Sequence, residues 1–140
     1  MATRATWLRR GEVTALVAVG GFAGANLRHV LARSLPALGG TLVANVLGCL
    51  ALGFLAYEAR EVGFLGERTS LVAGTGFLSS FTTYSTFALE TVQSAPLVGV
   101  ANVVANYTLG FAAVLVGRAL ARRLRPGSDA GASADPEGST

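Results

Sequence analysis

An all-α membrane protein with four spanning helices is the fold class this sequence predicts, and three observations predict it. The 140 residues are 51% hydrophobic and only 14% charged, with a mean hydropathy of +0.53, values that suit an integral membrane protein. Four apolar segments, near residues 13–35, 41–57, 69–94 and 96–120, are separated by short polar or charged stretches. The 18 glycines suit close helix packing in lipid, where small residues let backbones approach. The length allows one domain. It divides into a basic N-terminus (1–12), expected to be cytoplasmic, a transmembrane domain (13–124) and a polar tail (125–140) expected to be disordered.

The chain is basic, with a net charge of +3 and a pI of about 9.8. All eleven basic residues are arginines, and they flank the apolar segments. Membrane-edge charge explains the basicity; with no soluble domain to carry a binding surface, nucleic acid is rejected as a partner. Cys49 is the only cysteine, so there is no internal disulfide and no multi-cysteine metal site. It is expected to be a small buried core residue.

The first segment follows Arg4, Arg9 and Arg10, with Trp7 among them as an interfacial aromatic. A basic start, an apolar run and Ala23, Gly24 and Ala25 imitate a signal peptide. Three further apolar segments make a spanning helix the simpler reading. Gly20 and Gly24 form a small-xxx-small pair for a close helix neighbour. Arg28 near the end is either a snorkelling anchor or a positive charge at the mouth of an anion path. His29, the only histidine, reads as interfacial. Residues 36–40 make a short turn, and Thr41 is expected to cap the second helix. Asn45 is the anomaly there, because an amide inside an apolar span is costly unless paired. Gly48 shares its face. Either the amide projects into a shared space or it makes an interhelical hydrogen bond.

A charged loop, 58–68, leads to the third segment. Its roughly 26 residues would reach ~39 Å as one helix, more than a ~30 Å hydrocarbon core. Ser79, Ser80, Thr82, Thr83, Ser85 and Thr86 crowd its middle. Such density points either to a break near residues 79–83, which survives at membrane depth only when buried in protein or lining a cavity, or to hydroxyls that glue helices together. Unwound carbonyls at a break can hold a cation, and exposed amide ends favour an anion. Phe81, Tyr84 and Phe87 make an aromatic stripe, read as ordinary packing or as a path whose ring edges face an anion. Glu90 is expected to be a solvated carboxylate at the segment's end. Pro96 opens the fourth segment, where Asn102, Asn106 and Gly110 fall on one face. Two amides on that stripe place it against protein or a water-filled vestibule.

Taken together, GGFAGANLRH at 20–29, TLVANVLG at 41–48 and GFLSSFTTYSTFALE at 76–90 resemble the Fluc/CrcB family of fluoride channels, over about residues 13–124. The resemblance implies a third helix broken at its centre, an antiparallel (inverted) dimer, and a central structural sodium ion held by backbone carbonyls. Carried over, those carbonyls belong to Ser79 and Thr82. The fluoride path would use Asn45, Thr83, Tyr84, Ser85, Phe87 and Asn106, with Arg28 as the vestibule charge. Two departures stand out. Ser79 and Ser80 replace the usual Gly-Gly, and residues without glycine's freedom are expected to strain the break. Tyr84 replaces the usual Phe and adds a hydroxyl to satisfy.

With four spans, nine arginines (4, 9, 10, 60, 68, 118, 122, 123, 125) share one side and only Arg28 and Arg33 the other. The bias places both termini in the cytoplasm and opposes insertion in two orientations. The inverted partner is therefore expected to be a paralogue rather than a second copy. The implied activity is passive export of fluoride through the cell membrane, surrounded by lipid. The rivals are a small four-helix multidrug-type transporter and a non-conducting accessory subunit; Glu12 and Glu90 lie near segment ends, which counts against the first. No Ser/His, paired-Asp or His-cluster constellation supports an enzyme.

Overall fold

No proline interrupts residues 4–34, and α1 (Arg4–Ser34) runs unbroken through them. The computed structural model describes residues 4–35, 38–63 and 65–124. Helix α1 begins well before the apolar run at residue 13. Residues 4–12 hold the good helix formers Ala5, Leu8, Arg9 and Arg10 and only one glycine, so a helix nucleated in the apolar run propagates through them. Helix α2 (Gly39–Tyr57) passes into a wider π-helical turn, Glu58–Val62. Gly63 ends that turn in the left-handed region at φ 64°, and its N–H bonds the Glu58 carbonyl at 2.8 Å. Glycine is the residue that adopts this cap without a steric penalty. The expected turn at Pro36 and Ala37 and the polar tail 125–140, Arg125 included, lie outside the described residues.

The third segment is not one helix. Helix α3 (Glu67–Leu71) runs into a π-helical stretch, Val72–Leu78, and then into α4 (Ser79–Phe81). Thr82 and Thr83 are extended, and α5 (Tyr84–Gln93) starts after them. Helix α6 (Pro96–Arg123) opens with its proline in the first turn, where the missing N–H costs nothing. Three helices are long and apolar enough to cross a membrane, within Thr6–Ser34, Gly39–Glu61 and Pro96–Arg123. Phe22, Val92 and Leu97 are 74%, 78% and 82% exposed. Apolar surface of this extent calls for lipid or another apolar surface against it.

Glycine sets the packing. Helices α2 and α6 form the most extensive pair. Gly53 lies against the Val114 backbone, and Gly117 against the carbonyl of Leu50 and the amide of Phe54. Helix α1 packs on the π-helical stretch through Gly20 and Gly76, with Gly24 against Phe77. A methyl group at any of these glycines would meet backbone.

Two local expectations fail here. Thr41 does not cap α2, because Gly39 and Gly40 are already helical and Gly40 packs against Ala32. Thr41 is instead buried in the first turn. Cys49 is half-buried rather than buried, because its neighbour on α6 is Gly110, which has no side chain to cover it.

Candidate functional site

The backbone at Thr82 and Thr83 is the centre of the site. Where a helix stops, its last carbonyls and the next helix's first N–H groups lose their partners. Side chains from three elements take up several of them. From within the segment, Thr82 N–H and Thr82 Oγ1 both donate to the Leu78 carbonyl, at 3.1 and 3.0 Å. Thr83 caps α5, its Oγ1 accepting from Thr86 N–H at 3.2 Å. The Thr83 hydroxyl also donates to Thr86 Oγ1 at 3.0 Å and lies 3.4 Å from Ser85 Oγ. From α2, Asn45 grips both backbone polar groups of Thr83. Its Oδ1 accepts from Thr83 N–H at 2.9 Å, and its Nδ2 donates to the Thr83 carbonyl at 3.2 Å. From α1, Arg28 Nε donates to the Ser80 carbonyl at 3.2 Å.

A ladder of amides extends from Asn45 along α6. Asn45 Nδ2 donates to Asn106 Oδ1 at 3.3 Å. Asn106 Nδ2 donates to Asn102 Oδ1 at 2.9 Å and to the Asn102 carbonyl at 3.0 Å. Asn102 Nδ2 donates to Thr91 Oγ1 at 2.8 Å, and Thr91 donates to the Phe87 carbonyl at 2.7 Å. The expected common face of Asn102, Asn106 and Gly110 is therefore turned toward protein, with Asn102 and Gly110 buried.

These groups line one groove of about 540 Å³. Asn45, Ser79, Thr82, Thr83, Tyr84, Phe87 and Asn106 all face it; Arg28 and Ser85 do not. Its wall also holds Tyr107, absent from the sequence-based set. Tyr107 stands edge-on to Phe87 with centroids 6.4 Å apart, and Tyr84 lies 5.8 Å from Phe87. The signal was present in the sequence: Tyr107 sits three residues before Gly110, so it shares that edge of α6.

Three expectations about this region are corrected. Phe81 leaves the aromatic stripe, because two extended residues separate it from Tyr84; it stacks on Phe77 at 5.3 Å instead. Glu90 is not solvated. It is half-buried, one oxygen accepting from the Thr41 hydroxyl at 3.0 Å and the other buried without a partner. Ser79 and Ser80 do not strain the backbone. Ser79 has φ −63° and ψ −27°, and Ser80 is helical, a conformation every L-residue adopts. The Ser79 hydroxyl donates to the Thr75 and Gly76 carbonyls, which the change from π to α winding would leave under-bonded.

A family model described as CrcB-like protein, Camphor Resistance (CrcB), matches residues 15–118. The protein named Fluoride-specific ion channel FluC 1 of Haloarcula marismortui is 58% identical over 111 residues, covering 79% of this chain and 87% of its own. FluC 1 of Natronomonas pharaonis is 56% identical over 113 residues, covering 79% and 95%. FluC 2 of Halobacterium salinarum is 54% identical over 113 residues, covering 80% and 88%. On this match the chain belongs to the CrcB family, whose members named above are ion channels and not enzymes.

Proposed function

We propose that this protein is a passive fluoride channel of the cell membrane that lets fluoride leave the cytoplasm and so lowers its toxicity. The observation that carries the reading is the groove, where amides, hydroxyls and aromatic edges converge on irregular backbone. Fluoride is small and strongly hydrated, so a pore must replace its water with donors. Asn45 Nδ2 makes its two bonds at 3.2 and 3.3 Å, beyond the ~2.9–3.0 Å usual for N–H···O. A compact anion competes well for either N–H. Asn106 and Thr83 offer further polar hydrogens in exchange for their bonds to Asn102 and Thr86, Ser85 adds one from beside Thr83, and the rings of Tyr84 and Phe87 offer positive edges. Arg28 lies outside the groove and supplies positive charge from beside the Ser80 carbonyl.

In this reading residues 67–93 make the third of four crossings, broken at Thr82 and Thr83, and the groove completes its pathway against an inverted partner. The arginine distribution puts both termini in the cytoplasm and favours a paralogue as that partner. The numbering of relatives as FluC 1 and FluC 2 fits such a pair. A structural sodium ion suits the site, because the carbonyls of Ser79 and Thr82 accept no hydrogen bond among the described residues. Hard monovalent cations take oxygen ligands of this kind. Sodium, when bound, supplies positive potential and offsets the mutual repulsion of the carbonyls.

Fluoride efflux from liposomes tests the proposal, with the full chain alone and then with its paralogue, chloride serving as control. Fluoride flux that appears only with the paralogue supports both the channel and the heterodimer. Flux from the chain alone keeps the channel and refutes the heterodimer. No fluoride flux in either preparation refutes the channel.

A further inference from the structure

We propose that Arg28 and Asn45 act together as a latch on the extended backbone, with Arg28 holding the end of α4 and Asn45 holding the start of α5. Both are positioning residues in this role, distinct from the charge and donor roles above. The inference deepens the channel reading and rests on it only for its ion-dependent readouts.

The geometry of Asn45 makes the argument. A peptide unit is planar and trans, so its C=O and N–H point in opposite directions. Thr83 N–H shares a plane with the Thr82 carbonyl. By accepting from Thr83 N–H at 2.9 Å, Asn45 Oδ1 therefore fixes the direction of that carbonyl, which bonds to nothing else among the described residues. The second bond, from Asn45 Nδ2 to the Thr83 carbonyl, fixes the following plane as well. One side chain thus holds two successive peptide planes, the first of them beyond the reach of any helical hydrogen bond.

Arg28 works from the other side. The Ser80 carbonyl lies in the last turn before the extended residues and has no helical partner ahead of it. The Arg28 guanidinium reaches it from α1, 52 residues away in sequence, and holds α4 wound up to Phe81. Ser79 and its carbonyl sit in the same short turn. The Thr82 carbonyl is set by the bond that Thr83 N–H makes, and the Ser79 carbonyl lies one peptide unit before the one that Arg28 holds. Free carbonyls held this way keep their direction without a partner of their own.

Hydrogen exchange of the full chain, alone and with its paralogue in liposomes, tests the latch, followed by sodium titration of the same samples and fluoride flux of those that hold the paralogue. Asn45→Ala is expected to speed exchange at Thr83 N–H by about tenfold or more, with the core of α6 unchanged. Arg28→Gln is expected to speed exchange at Thr82 N–H in the same way. Asn45→Asp keeps the acceptor for Thr83 N–H. It should retain protection while losing fluoride flux, which separates positioning from anion binding. Arg28→Lys should restore part of the protection lost in Arg28→Gln. Each unlatched variant should need more sodium than the parent to reach full protection. If Asn45→Ala fails to fold, Asn45→Gln, which moves the amide by one methylene, carries the same expectation. Parent-like exchange at Thr83 in a folded Asn45→Ala or Asn45→Gln protein overturns the latch. A parent protein protected at Thr83 but without fluoride flux, both alone and with its paralogue, overturns the channel reading and leaves the latch standing.

Discussion

Replacing Gly117 by alanine should loosen the seam between α2 and α6, whereas the same change at Gly110 should not. Both glycines are buried on α6, so helix propensity favours alanine by about 1 kcal/mol at each. What differs is the space. At Gly110 the new methyl would meet only the Cys49 sulfur, at 3.4 Å, an ordinary contact. At Gly117 it would lie 2.9 Å from the Phe54 nitrogen and 3.0 Å from the Leu50 carbonyl carbon, with the Leu50 oxygen closer still. All of these atoms are backbone and cannot rotate away, so the two helices must separate. A gap of about 0.5–1 Å forfeits a quarter to a half of each dispersion well along the seam. Overpacking of this kind costs about 1–3 kcal/mol, and occasionally more. Net of propensity, Gly117→Ala should destabilise by up to about 2 kcal/mol, while Gly110→Ala should be neutral or stabilising by up to about 1 kcal/mol. Unfolding of the purified chain by increasing SDS in mixed micelles, followed by far-ultraviolet circular dichroism, measures both. Equal midpoints for the two variants would refute the glycine-seam argument.

Asn102→Leu should cost about 1–3 kcal/mol in the same titration, because Asn106 Nδ2 and Thr91 Oγ1 each lose a side-chain partner. Thr83→Val should cost about 1 kcal/mol through loss of the cap on α5, read as faster exchange at Thr86 N–H. Glu12→Gln should change stability by less than ~0.5 kcal/mol. Its ion pair with Arg68, though short at 2.6 Å, joins side chains that are 48% and 67% exposed.

Apolar patterning made the long elements legible because each reports its own burial. α2 and α6 coincide closely with the segments expected from composition, and Pro96 marked the start of α6. Two of the failures share a different cause. Thr41 looked like a cap and Glu90 like a solvated carboxylate because each was judged from its sequence neighbours, yet they bond to one another across 49 positions. Arg28 is likewise ambiguous until the Ser80 carbonyl is found beside it. Periodicity assigns a residue to a face of its helix. It cannot name the group opposite, and for a polar side chain in an apolar span that group decides the role.

The hydroxyl cluster of residues 79–86 shows the same limit in sharper form. Its density suggested either a broken helix or glue between helices. The glue reading requires hydroxyls that reach another element, yet the bonds made by the Ser79, Thr82 and Thr83 hydroxyls all stay between residues 75 and 86. They sit where the winding changes from π to α, then to extended, then to α again. Each change frees carbonyls or N–H groups that apolar surroundings cannot satisfy. A short hydroxyl meets such a group without lengthening the segment or widening the helix contact. Three of the six hydroxyls, those of Ser79, Thr82 and Thr83, serve backbone groups in this way. The longer side chains of Asn45 and Arg28 reach the Thr83 and Ser80 backbone from other helices.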